Sequence, residues 1–278
     1  MKYRWIVSSS EDKVSLLFFI KKRIKFSNRK TKNLIEKGIC KINDKVECFS
    51  SSKLKVGDLV SIEKNWEEYI EEIKNNPVVL YEDSFFIFVN KPCNFLSEDL
   101  IKKDFKSCLL VNRLDKETSG ILILAKTVDT KNRMIQIFLK KKIKKTYLAI
   151  VDRRIKNNKG KIECFLKKNE NIKGKIIFNP SVNSKKYSLT YYEVIKRYDK
   201  YSFIKCFPVT GKTHQIRVHM LKIGHPILGD YKYNQKFFYP YYVSKLMLHS
   251  RKIEFIHPFL KKKIKVVSLI PDYFKEFI

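Results

Sequence analysis

The sequence predicts an α+β protein in two unequal parts, and three observations predict it. Between residues 13 and 63, two stretches with helical spacing precede a run that alternates like short strands. From "VVLYEDSFFIFVNKP" onward, strand-like runs are interspersed with amphipathic helical stretches. Between these parts, "IEKNWEEYIEEIKNNP" gathers acids in an otherwise basic chain and stops at Pro77, as a connector would. The expected division is a small unit over 1–63, a linker over 64–77 and a larger domain over 78–278.

In the first unit, "VSLLFFIKKRI" spaces its apolar residues as one helix. A second helix follows in "SNRKTKNLIEKG", where Ser27 sits at the N-cap position and Gly38 closes the pattern. "ICKINDKVECFSSSKLKVGDLVSI" then reads as short strands with turns at Asn43-Asp44 and Gly57-Asp58. Arg29, Lys30 and Lys32 crowd the start of the second helix, where side chains and helix dipole both attract phosphate; a merely solvated helix face is the plainer alternative. In the larger part, Phe85 to Val89, Ile121 to Ala125 and Thr146 to Val151 read as strands. Val128 to Lys142 reads as a helix with Met134, Ile135, Phe138 and Leu139 on one face.

The chain carries 59 Lys and Arg against 28 Asp and Glu, a net charge of +31. Such a charge opposes compaction unless a polyanion normally neutralises it, and nucleic acid is the expected partner. An A+T-rich coding bias would favour Lys over Arg, but it does not explain why Lys so far outnumbers Glu. The six cysteines are scattered with no C-x-x-C pair, which points to reduced core residues and a cytoplasmic protein. The apolar run Val14 to Ile20 is too short to span a bilayer and is followed by "KKRIK", so no membrane association is expected.

Two stretches concentrate chemistry. In "VNRLDKETSGILILAK", Arg113 and Asp115 are two apart and point to one side of an extended loop, while Leu114 points to the other as an anchor. Thr118, Ser119 and Gly120 turn the chain into "ILILA", a strand buried on both faces. A carboxylate beside such a core needs charged or hydrogen-bonding partners; a plain turn with Asp115 as its cap is the alternative. In "FPVTGKTHQIRVHMLKIGHPILGD", Thr213 is placed to cap a helix that stops at Gly224, with Ile216, Met220 and Ile223 on its buried side. Arg217 on a neighbouring face can pair with Asp115 and hold it ionised. His214 and His219 are five apart, with no acid or Cys to complete a metal site.

These two stretches, with "NKP" at Asn90 to Pro92, "KKTYLAIV" at Lys144 to Val151 and "LHSRKIEFIHP" at Leu248 to Pro258, resemble the RluA/RluD-type pseudouridine synthases, and the motifs stand in that family's order. Likewise, "FFIKKRIKFSNRKTKNLIEKGICKINDKV" resembles the αL-type RNA-binding module that often precedes such catalytic domains. The resemblance implies a mixed, largely antiparallel catalytic sheet with flanking helices, preceded by the small αL-type domain. It implies isomerisation of uridine to pseudouridine in structured RNA, without cofactor or metal, by a protein expected to be a monomer. Large-subunit ribosomal RNA is the first expectation and transfer RNA the second.

Residue by residue, the resemblance assigns catalysis to Asp115, Tyr147 and Arg217. Asp115 is the catalytic carboxylate, Arg217 its partner, and Tyr147 the ring that stacks on the target base. Whether Asp115 attacks the sugar or the base, or acts through a glycal, stays open. Arg113 is associated with access to the flipped nucleotide and Leu248 with the apolar pocket. Arg23, Ser27, Arg29, Lys32, Lys212 and His214 are expected to contact RNA. Three departures from the family pattern stand out: Asn112 replaces the usual His, Lys212 replaces an Arg, and only "CNFLSEDLIKKDFKSCLLV" separates "NKP" from "NRLD". Two other classes compete: a non-catalytic RNA-binding or ribosome-assembly protein, and a basic hydrolase pairing Asp115 with a remote histidine.

Overall fold

The computed structural model describes residues 2–24, 28–36, 38–63, 77–172, 175–181, 184–234 and 236–278. The connector expected at 64–77 lies outside them except for Pro77, as does Ser27, and the side chain of Arg29 is likewise not described.

The amino-terminal part holds β1 (Lys2–Ile6), α1 (Leu16–Ile24), α2 (Asn28–Glu36), β2 (Cys40–Ile42), β3 (Lys45–Val46) and β4 (Leu59–Glu63). Its sheet has the order β1-β4-β2-β3 and is antiparallel throughout. Asn43 and Asp44 both take positive φ (51° and 60°), the conformation a two-residue hairpin turn requires, so the chain reverses tightly between β2 and β3. Leu16, Phe19 and Ile20 of α1 pack with Leu34 and Ile35 of α2 over Val60 and Ile62 of β4, giving this part its own core. Strand β1, which the sequence pattern does not announce, extends that sheet along β4.

The larger part contains β5 (Val78–Glu82), β6 (Phe86–Lys91), α3 (Ser97–Asp104), β7 (Leu109–Leu110), β8 (Ser119–Ala125), α4 (Val128–Leu139), β9 (Lys144–Asp152), β10 (Lys159–Ile172), β11 (Lys175–Pro180), β12 (Tyr187–Arg197), β13 (Tyr201–Pro208), α5 (Gln215–Lys222), β14 (Leu248–Ile256), β15 (Lys263–Val267) and α6 (Asp272–Lys275). Its sheet runs β11-β10-β12-β13-β9-β14-β8-β6-β5, with β15 on β14 and β7 on β8. All of these pairings are antiparallel except β14 with β8, so the sheet is mixed and largely antiparallel.

Strand β8 is buried along its whole length. Ile121 and Ile123 join Phe86, Phe88 and Phe255 on one face, while Leu122 and Leu124 join Val89 and Leu114 on the other. That alternation is what an apolar run must do in a strand covered on both sides. Gly120 (φ +108°) lies so close to the Ser250 backbone that a Cβ has no room, which lets β14 dock beside the start of β8. Helix α4 is shorter than its apolar pattern predicts. It starts on a Thr127 cap whose hydroxyl accepts the Thr130 N–H at 3.2 Å, and it ends at Leu139 because Lys141 turns left-handed (φ 53°). Of its apolar face, Met134 alone is fully buried; Ile135 and Phe138 are half-buried and Leu139 is 67% exposed.

Candidate active site

One cavity of about 670 Å³ is lined together by the loop before β8, the middle of β9, the turn and helix after β13, and the first residue of β14. Its walls include Arg113, Asp115, Tyr147, Lys212, His214, Arg217 and Leu248, so the sheet brings together seven of the residues singled out in the sequence. Arg23 and Lys32 lie in the amino-terminal part, outside this cavity. Arg23 is turned inward: its guanidinium pairs with Glu11 at 2.8 Å and lies 3.4 Å from the centroid of the Phe19 ring, so a phosphate there must displace an internal partner. Lys32 is exposed.

The loop is held from behind. Leu114 is buried among Val89, Leu122 and Leu124, a burial that contributes roughly 1.5–3 kcal/mol. Its N–H and carbonyl both bond the Ser97 hydroxyl, at 3.2 and 3.3 Å. Lys91 of the "NKP" turn is fully buried, and its ammonium donates to the carbonyls of Pro92, Phe95 and Lys116 at 3.0, 2.8 and 3.0 Å. Burial lowers its pKa to about 8, against which nearby acids, Asp115 among them, favour the charged form. The backbone on both sides of Asp115 is thus fixed, leaving its carboxyl 20% exposed at the cavity floor. Arg113 projects outward with its side chain 71% exposed, 3.8 Å from Glu98.

Arg217 is the hub. Its side chain is 2% exposed, and Nε and Nη2 donate to the two oxygens of Asp230 at 2.8 and 2.6 Å, a bidentate pair buried on both sides. The remaining nitrogen, Nη1, faces Asp115 Oδ2 and Glu117 Oε2, both at 3.3 Å. One guanidinium therefore serves three carboxylates, which alters the expectation that Arg217 simply keeps Asp115 ionised. Burial raises the Asp115 pKa above the ordinary carboxylate value, Glu117 adds to it, and Arg217 offsets only part. Glu117 goes the other way, held low chiefly by Arg217 against its own burial.

Thr213 does not cap the helix that carries Arg217. The N-cap is His214 in a left-handed conformation (φ 56°), and Gln215 performs the tethering. Its Oε1 accepts from Thr210 Oγ1 at 2.6 Å and the Lys212 N–H at 3.0 Å, while Nε2 donates to the Leu189 carbonyl at 2.9 Å. Nor does α5 have one buried side: every residue from Gln215 to Met220 is buried, so Arg217 is fixed on all faces.

His214 lies 3.9 Å from Asp115 Oδ1 through Nε2, while its Nδ1 meets the Tyr233 hydroxyl at 2.7 Å. That hydroxyl also accepts the Phe178 N–H at 2.9 Å, so Tyr233 ties the His214 ring to β11. Burial, with Arg217 and Lys232 nearby, pushes the histidine pKa far down, and it stays neutral across the physiological range. Tyr147 is half-buried in the cavity wall, its pKa pushed up to about 12 mainly by burial, so it is a neutral phenol. Among the described residues, no group of three or more His, Cys, Asp or Glu is arranged to hold a metal ion.

Sequence reasoning did not single out Lys91, Glu117, Asp230 or Tyr233. Three of them stand in stretches that the sequence singles out: Lys91 in "NKP", Glu117 in "VNRLDKETSGILILAK", and Asp230 as the acid after Gly229 (φ +76°) in "HPILGD".

The RNA pseudouridylate synthase family matches residues 86–222 of the chain. A protein of Buchnera aphidicola subsp. Baizongia pistaciae named "Ribosomal large subunit pseudouridine synthase C" is 33% identical, covering 87% of this chain and 85% of its own. Its counterpart from Buchnera aphidicola subsp. Schizaphis graminum is 31% identical over 100% of this chain and 99% of its own. The structure of "Human RNA Pseudouridylate Synthase Domain Containing 1" superposes with a TM-score of 0.62 at 24% identity, covering 70% of this chain and 84% of that one, a likeness of fold.

Proposed function

We infer the function from the premise that this chain belongs to the RNA pseudouridylate synthase family and is an isomerase acting on RNA. Its substrate on this reading is one or more uridines of large-subunit ribosomal RNA, the target named for both bacterial relatives. The observation that carries the assignment is Asp115, on a loop fixed from behind and 3.3 Å from an arginine that Asp230 fixes in turn. Pseudouridine formation breaks the bond from the sugar to uracil N1, turns the base, and joins C5 to the same sugar carbon, with the C5 proton released and a proton taken up at N1. It needs one positioned carboxylate and walls that retain the detached base.

In this reading Asp115 is that carboxylate, reacting in its ionised form. Arg217 orients it, and the His214 ring stands 3.9 Å from the same carboxyl. Tyr147 stacks on the uracil as a neutral ring, and Leu248 closes the apolar side. Arg113, the most exposed of the group, fills the space left in the RNA stack by the extruded nucleotide. Residues 1–63 serve as the αL-type RNA-binding module, joined through the linker to the catalytic domain over 78–278 of a cytoplasmic monomer. The helix-helix-hairpin order of that part, and the exposed Lys32 on α2, support this role.

The test is tritium release from RNA labelled at uridine C5, comparing ribosomal and transfer RNA, with Asp115→Asn as control. Release by the wild type alone, and from ribosomal RNA, is the expected result. Tight binding without release from either RNA would favour a non-catalytic RNA-binding protein.

A further inference from the structure

The cavity extends beyond the residues that the reaction uses. From Tyr147 it continues between α4 and the turn after β13, where its lining changes character: Ile135, Phe138 and Leu139 supply an apolar shelf, and Lys141, Lys145 and Lys212 its rim. The carboxylates of the lining, Glu98 and Asp115, stand on the α3 and Asp115-loop side. We propose that this arm is a second nucleotide subsite, which binds the RNA nucleotide adjacent to the target uridine with its base on the shelf and its phosphate on Lys145. The proposal rests on the reading of the Asp115 pocket as the uridine site.

Three observations carry it. First, the shelf is apolar surface on an amphipathic helix that the core covers only in part: Met134 goes inward and half-buried Phe138 rests against the same core, whereas Leu139 is left 67% exposed beside half-buried Ile135. An aromatic and two aliphatic side chains in a basic cleft suit the face of a base, and stacking of this kind contributes about 1–3 kcal/mol per base. Second, Lys145 is an ammonium in a sheltered position that, among the described residues, donates to the Thr210 carbonyl at 3.2 Å and lies 6.0 Å from the centroid of the Phe138 ring. Its pKa falls to about 8 through burial, with no acid contributing, so an incoming anion meets a cation that no carboxylate already neutralises. Third, the spacing is right. Lys145 and Tyr147 are alternate residues of β9 and point to the same face, about 7 Å apart along the strand, a step that one nucleotide of a single strand spans.

The experiment uses the full chain and a ribosomal RNA transcript labelled with tritium at uridine C5. Leu139→Ser removes the exposed end of the shelf without touching the core, and Lys145→Gln removes the cation. Each is expected to raise KM about tenfold, or about 1.4 kcal/mol, with the loss falling on KM rather than kcat. Lys145→Gln should also reduce the slope of log affinity against log salt by about one phosphate contact, and Lys145→Arg should restore it. Unchanged KM in both variants would overturn the subsite. A loss confined to Lys145→Gln would overturn the base shelf, and a fall in kcat with an unchanged salt slope would place Lys145 in the chemistry or the fold instead. If the wild type itself releases no tritium, the uridine-site reading fails, and that failure is visible before any variant is compared.

Discussion

Replacing Arg217 by Met separates what the buried cluster contributes to stability from what the reaction needs. The wild-type guanidinium is 2% exposed and its Asp230 partner 1%, joined by bonds of 2.8 and 2.6 Å. Removing one member of such a pair leaves the other charge buried without compensation, which costs about 3–5 kcal/mol. At about 2–4 °C per kcal/mol for a chain of this size, the melting temperature should fall by roughly 6 to 20 °C. Adding Asp230→Leu to Arg217→Met removes the fully buried member of the three carboxylates that Arg217 serves, and exchange of such a buried pair for apolar residues is often close to neutral, while Asp115 and Glu117, 20% and 36% exposed, are left without the arginine. The double variant should therefore melt above Arg217→Met but below the wild type, read by thermal and urea melts, while single-turnover tritium release stays abolished because Asp115 has lost its orienting donor. Two results refute the reasoning: Arg217→Met melting like the wild type, or turnover returning with stability in the double variant.

Asp115→Asn should abolish modification yet melt no lower than the wild type at neutral pH. The folded pKa of Asp115 is raised, so its ionised form weighs against the folded state above that pKa, and the deficit vanishes as pH falls below the unfolded value. A variant less stable at pH 7 would contradict this. The rate of the wild type should climb with pH as Asp115 ionises, and Glu117→Gln should shift that climb to lower pH by removing a like charge, measured as a pH profile of kcat; an unmoved profile would sever Glu117 from Asp115. Deleting residues 1–63 should weaken binding of structured RNA more than it lowers the melting temperature of the remaining chain, and equal affinity would deny that part its role.

Much of the site was legible because it is local. The turn at Ser119-Gly120 and the apolar run that follows specify β8 by themselves, and with it the position of Asp115 at the strand's entrance. The left-handed cap at His214 was not legible, since a threonine just before a helix ordinarily caps it. The structure assigns that work to Gln215, whose partners at Leu189 and Thr210 belong to other segments of the chain. Lys91 and Asp230 escaped for the same reason: one meets three carbonyls spread over 25 residues, the other a guanidinium 13 residues away, and neither pattern has a periodic trace. The raised pKa of Asp115 was not legible, because a pairing of Asp115 with Arg217 read from the sequence leaves out Glu117 and Asp230, which share the same guanidinium.

Strand β14 lies between β9 and β8, antiparallel to one and parallel to the other. Tyr147 on β9 and the Asp115 loop before β8 are therefore placed on opposite sides of β14, whose first residue, Leu248, lines the cavity with them. During synthesis at roughly 5–20 residues per second, roughly 7 to 28 s separate the emergence of Asp115 from that of Ile256. Until then the start of β8, at Ser119 and Gly120, lacks its β14 neighbour, and an unpaired stretch of strand edge is of the kind that recruits foreign strands. On the proposed reading, the pocket is thus completed late, and a nascent or truncated chain lacking β14 is without Leu248 on the apolar side of the uracil.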